Sequence, residues 1–467
     1  MAGESMQTAS DSSRNESKLS HKWLVMASVG VGSLLGSIDV SVVNIALPTI
    51  RREFETEVAT AEWVVVIYLL MTCGFLLTVG RIGDLRGQKP VYVCSFAVFV
   101  VGSALCGLAP SIALLILFRA IQGLGASMVF ATGPAILTQT FPASQRGKVL
   151  GLQVLMVYLG GLTGPMLGGW LTDVFTWRAV FYINVPIGLA ALVLSAKFVP
   201  WVKPAKTTES FDFPGAALFL ATFSLLLIAL NQGHTYGWTS FYIVRMFVAA
   251  ALLMAVFVLV ESRTRSPLLD LGLFRAPAFS LSAASSICNY LATFSVGFLM
   301  PFFLIQGHGL SSSSAGMLIT VQPLMMVVTA PTAGAISDRV GTRWPAMLGM
   351  ALLAVAMYLL SRLGPASSLV YIGTAIGMTG LGTGCFVAPN TSTMMGSAPK
   401  NRQGIAAGVM ATSRNIGMIL GVGISGAIFT TFIRAHTQAA FFSGIRTSFL
   451  VACAVSCVGF FASAARK

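Results

Sequence analysis

Long apolar runs alternate with short polar segments over nearly the whole chain. A run of about 20 apolar residues is long enough to cross a bilayer as a helix. One soluble core could not bury so many of them. The pattern predicts an all-α polytopic membrane protein with fourteen spans, expected at 23–46, 62–80, 91–109, 111–139, 149–170, 179–199, 214–231, 240–260, 279–304, 315–336, 346–362, 368–396, 405–433 and 445–464.

The spans fall into two copies of one six-helix unit. A charged segment at 80–90 recurs at 334–343 with its Gly and Asp positions in register, and glycines of the later spans also recur at a nearly constant offset. Two spans, 214–231 and 240–260, lie between the copies behind a proline-bounded linker. The domains are expected as a disordered tail (1–22), an N-terminal bundle (23–199), a linker with two inserted helices (200–277) and a C-terminal bundle (278–464).

Composition and charge agree with this pattern. Charged residues make up only 9% of the chain, against about 25% in soluble domains. The formal charge of +14 could indicate nucleic-acid binding, but the basic residues do not form one patch. If the N-terminus is cytosolic, 20 of the 29 Lys and Arg residues fall on the cytosolic side. We therefore expect both termini in the cytoplasm and no nucleic-acid partner.

The sequence shows no enzymatic constellation. The seven cysteines lie inside apolar runs, and the four histidines lie in the tail or in loops without metal-ligand spacing. A phosphate-cradling loop of the Walker kind is also missing from the sequence. We expect no metal, no cofactor and no enzymatic activity.

Two opposite charges are expected inside the membrane. Asp39 in the first span and Arg119 in the fourth lie at similar distances from the outer surface if the first span ends at Ala46. An intramembrane charge costs about 2.5–3.5 kcal/mol, so a mutually compensating pair is predicted. Burial favours the neutral carboxyl and a nearby Arg favours the ionised one, so a small helix shift could load or release a proton. The alternative is a static structural salt bridge.

Five segments resemble those of a known family. Segment 80–90 resembles the loop between helices 2 and 3 of the major facilitator superfamily, and 119–126 resembles its helix-4 motif. Segment 160–169 is similar to the helix-5 motif of its antiporters. Segments 39–48 and 177–186 are similar to motifs of its fourteen-helix drug–proton antiporter branch. The resemblance implies a major facilitator fold of two six-helix bundles plus two inserted helices.

The resemblance also implies roles for single residues. A cytoplasmic gate would be formed by Gly80, Asp84, Arg86, Gly87 and Asp338, although an exposed charge cluster is usually only a solvated face. The helix-5 antiporter motif would be carried by Gly160, Gly164, Pro165, Gly168 and Gly169. The alternative for these residues is plain tight packing, since small residues let helices approach closely.

A substrate cavity is expected from polar or aromatic residues deep in several spans. These residues are Asn44, Tyr158, Asn289, Tyr290, Phe294, Gln322, Asn390 and Arg414. Each of them could instead be a hydrogen bond within a bundle or a lipid contact. Arg414, about 15 Å inside its span, could snorkel to the cytosolic surface.

Together these observations predict a proton-coupled multidrug efflux transporter. It would export lipophilic compounds, which are expected to be cationic, by alternating access in the inner membrane of a bacterium. Its partners would be protons, the small-molecule substrate and the lipid bilayer, and an envelope adaptor protein is left open. Two alternatives remain: an exporter or facilitator of one metabolite such as an amino acid or siderophore, and a membrane sensor that does not transport.

Overall fold

The computed structural model describes residues 2–202, 212–264, 271–398, 403–435 and 437–466. Within these residues fourteen helices are long and apolar enough to cross a membrane, which confirms the predicted number of spans. Three of them are irregular: α6 at Ile183, α9 at its terminal π-turn and α10 at Thr320. In chain order the helices are α1 (Ala2–Glu53), α2 (Val58–Arg86), α3 (Gln88–Leu108), α4 (Ile112–Thr140), α5 (Ala143–Val174), α6 (Ala179–Phe198), α7 (Phe213–Tyr236), α8 (Phe241–Arg263), α9 (Pro277–Gly307), α10 (Ser312–Val340), α11 (Arg343–Ser361), α12 (Leu369–Ser397), α13 (Gln403–Ile433) and α14 (Gln438–Ala464).

The first helix is longer at both ends than expected. It continues past Ala46 to Glu53 with Pro48 inside it, so the expected end of the first span at 46 is wrong. Neighbouring helices make an internal proline tolerable in a membrane helix. At the other end, residues 2–21 are helical where the sequence predicts a disordered tail. Extending an existing helix avoids the cost of a new nucleus.

The two copies of the repeat pack in the same way. Gly123 of α4 lies against the backbone of α2 at Tyr68, and its counterpart Gly380 of α12 lies against the backbone of α10 at Gln322. The short helix connections also match, because Gly87 and Gly341 both have positive φ, +95° and +85°. Only glycine adopts such angles freely, so the repeated glycines are explained by backbone geometry.

One of the two inserted helices, α7, lies at the junction of the two bundles. α7 packs against both α2 and α13, and α8 packs against α7. Leu220 of α7 contacts α2 at Gly74, and Leu227 contacts α13 at Gly423. α7 therefore belongs to the seam between the six helices α1–α6 and the six helices α9–α14, whereas α8 presents Phe241 at 81% exposure on the outside.

Two hydrogen bonds between the bundles lie at the same end of the molecule. Arg51 at the end of α1 donates to Gln306 at the end of α9, with 3.0 Å between Nη1 and Oε1. The carboxylate of Asp173 at the end of α5 accepts from the backbone N–H of Ser313, at 2.7 Å, where α10 begins. This end, which we call the closed end, holds the α1–α2, α5–α6 and α9–α10 connections. The 80–90 segment lies at the opposite end.

The outer faces of the helices are apolar and exposed. Val370, Phe461 and Leu252 are 79%, 68% and 62% exposed. An apolar surface this extensive is expected only where lipid covers it. The protein is therefore a polytopic membrane protein.

Candidate functional site

A buried ion pair joins α1 and α4 within the first bundle. Arg119 Nη1 lies 2.7 Å from Asp39 Oδ2, and the two side chains are 1% and 0% exposed. The pairing is as the sequence predicts, although the longer α1 places Asp39 farther from its helix end than expected. A buried pair of this kind is tolerated only when further hydrogen bonds satisfy both partners.

Neighbouring amides supply those hydrogen bonds. Gln122 Nε2 and Asn184 Nδ2 each donate to Asp39 Oδ1 at 2.8 Å, and Gln122 Oε1 accepts from Arg119 at 2.7 Å. Ser103 of α3 accepts from both amides and donates to the carbonyl of Phe181. We call these five residues, Asp39, Ser103, Arg119, Gln122 and Asn184, the polar network. It ties together α1, α3, α4 and α6.

The remaining surface of Arg119 is enclosed by protein. Its Nε donates to the carbonyl of Val64 at 3.0 Å, and its guanidinium carbon lies 4.1 Å from the ring centroid of Tyr68. The ring of Phe181 lies on another side, at 5.7 Å. The pair is therefore sealed inside the first bundle in this state, away from the seam between the bundles.

Three members of the polar network have no role that the sequence predicts. Gln122 and Asn184 stand inside the quoted motifs 119–126 and 177–186, and Ser103 stands in the third span, but the sequence alone assigns none of them a role. A signal is present for Gln122, because it follows Arg119 by three residues and so shares its helix face. No such spacing links Asn184 or Ser103 to Asp39.

The helix-5 glycines line the contact between α5 and α1. A Cβ at Gly160 would stand 2.6 Å from the carbonyl oxygen of Leu34, and one at Gly168 would stand 2.5 Å from Ile45 Cγ2. Gly164 faces Ser41 in the same row. These three glycines let α5 approach the helix that carries Asp39.

The other two motif residues face the second bundle. Gly169 packs on the backbone of Ser312, and the carbonyl of Pro165 packs on Gly316 of α10. One face of α5 thus contacts the helix that carries Asp39, and another forms part of the closed end.

The expected gate residues lie at the end opposite the closed end. Asp84 and Arg86 are exposed, and Asp84 Oδ1 accepts from Gln88 Nε2 at 2.8 Å. Asp338 is exposed in the second copy. Gly80 is half-buried, and Gly87 provides the turn between α2 and α3. The gating role of these residues stays a prediction.

Part of the expected cavity wall comes together at the seam. Arg414 of α13 interacts electrostatically with Tyr158 of α5, Tyr290 of α9 and Cys73 of α2, and it is partly exposed. Asn44 of α1 lies opposite Gly297 of α9, 3.6 Å from the position of a Cβ there. Helices of both bundles therefore present polar groups to one region around Arg414.

Three other expected wall residues are buried, with contacts inside the second bundle. Asn289 Nδ2 lies 3.6 Å from Met350 Sδ, and Asn390 Nδ2 donates to the carbonyl of Ser282 at 3.3 Å. Gln322 is 7% exposed, next to Gly380. Phe294 is partly buried beside Gly421. For these residues the alternative of bundle packing describes the observed contacts.

No group of three or more His, Cys, Asp or Glu side chains suited to a metal ion occurs in the part of the chain that the structure describes. The polar network contains one carboxylate and one guanidinium, and its remaining members are uncharged. Its observed interactions are one ion pair and the hydrogen bonds that support it.

Related proteins are transporters. A chain from Clostridioides difficile named riboflavin transporter RibZ is 32% identical over 447 residues, covering 94% of this chain and 96% of the relative. Multidrug resistance protein Stp of Mycobacterium tuberculosis is 32% identical over 417 residues, with 89% and 77% covered. The tetracenomycin C resistance and export protein of Streptomyces glaucescens is 30% identical, with 88% and 76% covered.

Solved structures show the same fold at low sequence identity. A bacterial homologue of the human lysosomal transporter Spinster, in an inward-facing and unoccupied conformation, matches with a TM-score of 0.68 at 16% identity over 95% of this chain and 97% of that one. A POT family transporter in complex with a thioalcohol-conjugated peptide matches with a TM-score of 0.68 at 13% identity, over 93% and 95%. The family model described as Major Facilitator Superfamily matches residues 29–285 and 282–466. The chain belongs to the Major Facilitator Superfamily and is a membrane transporter, not an enzyme.

Proposed function

We propose that the protein is a proton-coupled antiporter that exports lipophilic small molecules across the inner membrane of a bacterium. The observation that carries this proposal is the buried Asp39–Arg119 pair within its polar network. A titratable carboxyl in the membrane interior is a candidate proton carrier, and here it has a partner that can hold its ionised form.

Proton binding at Asp39 would loosen the polar network. The ionised carboxylate accepts from Arg119, Gln122 and Asn184, and protonation of one oxygen removes the charge that Arg119 pairs with. Arg119 stays positive because its guanidinium does not deprotonate in proteins. It would keep its contacts to Val64 and Tyr68, so α1 gains freedom to move against α4.

Movement of α1 would be transmitted to the seam through α5. α1 rests on Gly160, Gly164 and Gly168 of α5, and α5 reaches the second bundle through Gly169. A shift of α1 along this glycine face would therefore change the fit of α5 against α10. Closure at one end and opening at the other are the two states of alternating access.

The distribution of basic residues supports a cytosolic location of both termini. With that orientation the closed end faces outward, and the gate segment with Asp84 faces the cytosol. Compounds would then enter the seam from the cytosol and leave on the outside. The Asp84 carboxylate would pair across the bundles when the cytosolic end closes.

Transport into everted vesicles tests the proposal. With an acid interior, a wild-type vesicle should concentrate a lipophilic dye, and a protonophore should abolish this accumulation. Accumulation that is independent of the pH gradient would overturn the antiport mechanism.

Arg414 favours a second candidate substrate class, neutral or anionic aromatic compounds. The charged side chain placed with Tyr158 and Tyr290 at the seam is a cation, whereas Asp39 is sealed off from the seam. A cationic substrate would meet repulsion there, and an aromatic compound with carbonyl or phenolate oxygens would meet a hydrogen-bond donor. The relatives named for riboflavin transport and for tetracenomycin C export fit this chemistry.

A competition assay separates the two classes. A lipophilic cation, a neutral flavin and an anionic aromatic compound would be compared as inhibitors of dye accumulation in wild type and in Arg414→Gln. If Arg414 contacts substrate, the variant should lose inhibition by the anionic compound and keep inhibition by the cation. Preferential loss of cation inhibition would exclude the second class.

A further inference from the structure

A second carboxyl group is buried inside the membrane domain, outside the polar network. Glu62 of α2 is 2% exposed although it lies near the closed end. Its carboxyl faces α13, where a Cβ at Gly426 would stand 2.6 Å from Oε1 and closer still to Oε2. Glu62 thus forms part of the contact between the two bundles.

The third element around Glu62 is the inserted helix α7. The Asn231 amide is within hydrogen-bonding reach of the Glu62 carboxyl and donates to the carbonyl of Ala59 at 2.6 Å. Glu62 Oε2 is buried without a hydrogen-bond partner. α7 therefore closes the side of the site that the two bundles leave open.

The other charged or titratable side chains at this end contact groups other than Glu62. His234 Nε2 of α7 lies 3.6 Å from Glu57 Oε2, and Arg434, just after α13, donates to the carbonyl of His234. Arg51 of α1 interacts with Glu57 and donates to Gln306. Among the described residues no ion pair to Glu62 occurs. A buried carboxylate without a cation carries a large desolvation cost, so this closed arrangement suits the neutral acid.

We propose that Glu62 is a second proton-binding site and that its protonation stabilises the closure of α2 against α13 and α7. The neutral acid needs no cation and fits against the backbone at Gly426. When the closed end opens, water reaches the carboxyl and ionisation becomes favourable. By linkage, protons then bind the closed form more tightly and bias the population towards it.

A short polar route leads from the surface to this site. The side chain of Glu57 is 78% exposed and that of His234 is 5% exposed. Asn231 lies one helical turn before His234. The proposal deepens the proposed proton-coupled cycle, because an external proton would close the outer end after release of substrate. It also holds for a chain that transports by another mechanism, since it concerns only the equilibrium between open and closed ends.

Distance measurements across the closed end test the proposal without transport. Spin labels at Pro110→Cys, in the α3–α4 connection, and at Gln438→Cys, at the start of α14, would be introduced into the full chain. Both positions are exposed and lie in different bundles, and the exposed Cys94 and Cys457 would first be replaced by Ser. Double electron–electron resonance in nanodiscs would then be recorded from pH 5 to pH 8.5. We expect the short-distance population to fall as pH rises. For one linked proton, the ratio of short-distance to long-distance populations should change by at most about tenfold per pH unit.

Two isosteric variants identify the carboxyl group that causes the pH dependence of the label distances. Glu62→Gln mimics the neutral acid, so its short-distance population should exceed that of wild type at high pH. Asp39→Asn should keep the part of the pH dependence that Glu62 carries. Glu55→Gln, an exposed acid at the same end, is the matched control and should behave as wild type. Size-exclusion chromatography and circular dichroism establish that each variant is folded.

The outcomes are distinguishable. A Glu62→Gln chain with the pH dependence of wild type would overturn the proposal, and so would a wild type whose distances ignore pH. Loss of the pH dependence in Asp39→Asn alone would assign the proton to the polar network and reject Glu62. Failure of pH-driven dye transport would overturn the proposed antiport without affecting this test.

Discussion

The two buried carboxyl groups differ in their partners. Asp39 accepts from Arg119, Gln122 and Asn184, whereas Glu62 lies within reach of one amide, Asn231, and its Oε2 has no hydrogen-bond partner. Hydrogen bonds to the charged form and a nearby cation favour ionisation, and burial alone opposes it. In the proposed cycle the two carboxyl groups would bind a proton in different states.

Asp39→Asn tests the first of these sites. The amide keeps the shape of the side chain but cannot titrate, so uphill dye transport driven by a pH gradient should be abolished. Asp39→Glu should keep partial coupling. Breaking a buried pair costs roughly 3–5 kcal/mol in soluble proteins, so thermal unfolding must be measured in parallel. A folded Asp39→Asn chain that still concentrates dye with the pH profile of wild type would return Asp39 to a purely structural role.

Gln122→Leu removes a hydrogen bond from the Asp39 carboxylate. The ionised form should lose about 1.5–3 kcal/mol of stabilisation, which corresponds to a shift of about one to two pH units. Because the carboxylate is the form that is weakened, the midpoint of the transport pH profile should move to higher pH. The matched control is Thr132→Ala on the same helix, whose buried hydroxyl donates only to the carbonyl of Met128. An unchanged midpoint in Gln122→Leu would show that this amide does not tune the carboxyl.

At this scale the sequence predicts charge pairing better than side-chain direction. An intramembrane Asp and Arg need each other for energetic reasons, so their contact follows from the sequence. Glu62 escapes sequence analysis because it stands at the edge of an apolar run, where a charge is usually solvated; α7 and α13 bury it. Asn289 and Asn390 are expected in the cavity wall, but the face of a helix that points to the seam depends on packing that one sequence does not contain.

The helices themselves are predictable because lipid requires long apolar runs. All fourteen spans have counterparts in the structure. The errors are at the ends: α1 passes through Pro48 to Glu53, and α10 spans Ser312–Val340 instead of 315–336. A helix can extend through polar residues at the end of a span when a neighbouring helix or a capping group forms hydrogen bonds with them. Hydropathy alone does not predict such an extension.

Helix α10 begins on a carboxylate from the other bundle. Asp173 accepts from the backbone N–H groups of Ser312 and Ser313, and a negative charge at a helix N-terminus contributes about 0.3–1 kcal/mol, up to about 2. Asp173→Asn should therefore shift the closed end towards opening by roughly two- to thirtyfold. The label pair at positions 110 and 438 measures this shift, and Glu55→Gln serves as the control for a lost surface charge. A distance distribution like that of wild type would mean that Asp173 does not hold the closed end.

At the scale of the whole molecule, glycines lie directly against the opposite bundle at the closed end. Gly169 packs on the backbone of Ser312, Gly316 packs on that of Pro165, and Gly426 packs on Glu62. Contacts of this kind leave no room for a side chain and involve few charges. The two bundles can therefore separate without stripping many ion pairs, which suits an equilibrium that one or two protons can shift.

Gly169→Leu should keep the closed end open. The added side chain would meet the backbone of Ser312, which cannot move aside cheaply, so label distances should be long at every pH and transport should stop. Gly151→Leu on the same helix is the control, since no atom lies within 4 Å of a Cβ there. Binding of dye to Gly169→Leu should persist, because the substitution lies away from Arg414. A Gly169→Leu chain that still reaches the short distance would show that closure does not depend on this contact.

The burial of Asp39 inside the first bundle has a consequence for substrate specificity. In the proposed cycle the carboxyl lies inside one bundle, so substrate and proton would not compete for the same atoms and would influence each other through the position of α1. The residues around Arg414 could then change during evolution without rebuilding the energy-coupling machinery. Separate sites for proton and substrate would also permit uncoupled proton transport. A proton could cross the membrane without substrate whenever α1 moves in an empty transporter. Coupling efficiency would then depend on which compound occupies the seam, and a poorly fitting compound would dissipate the gradient instead of being concentrated.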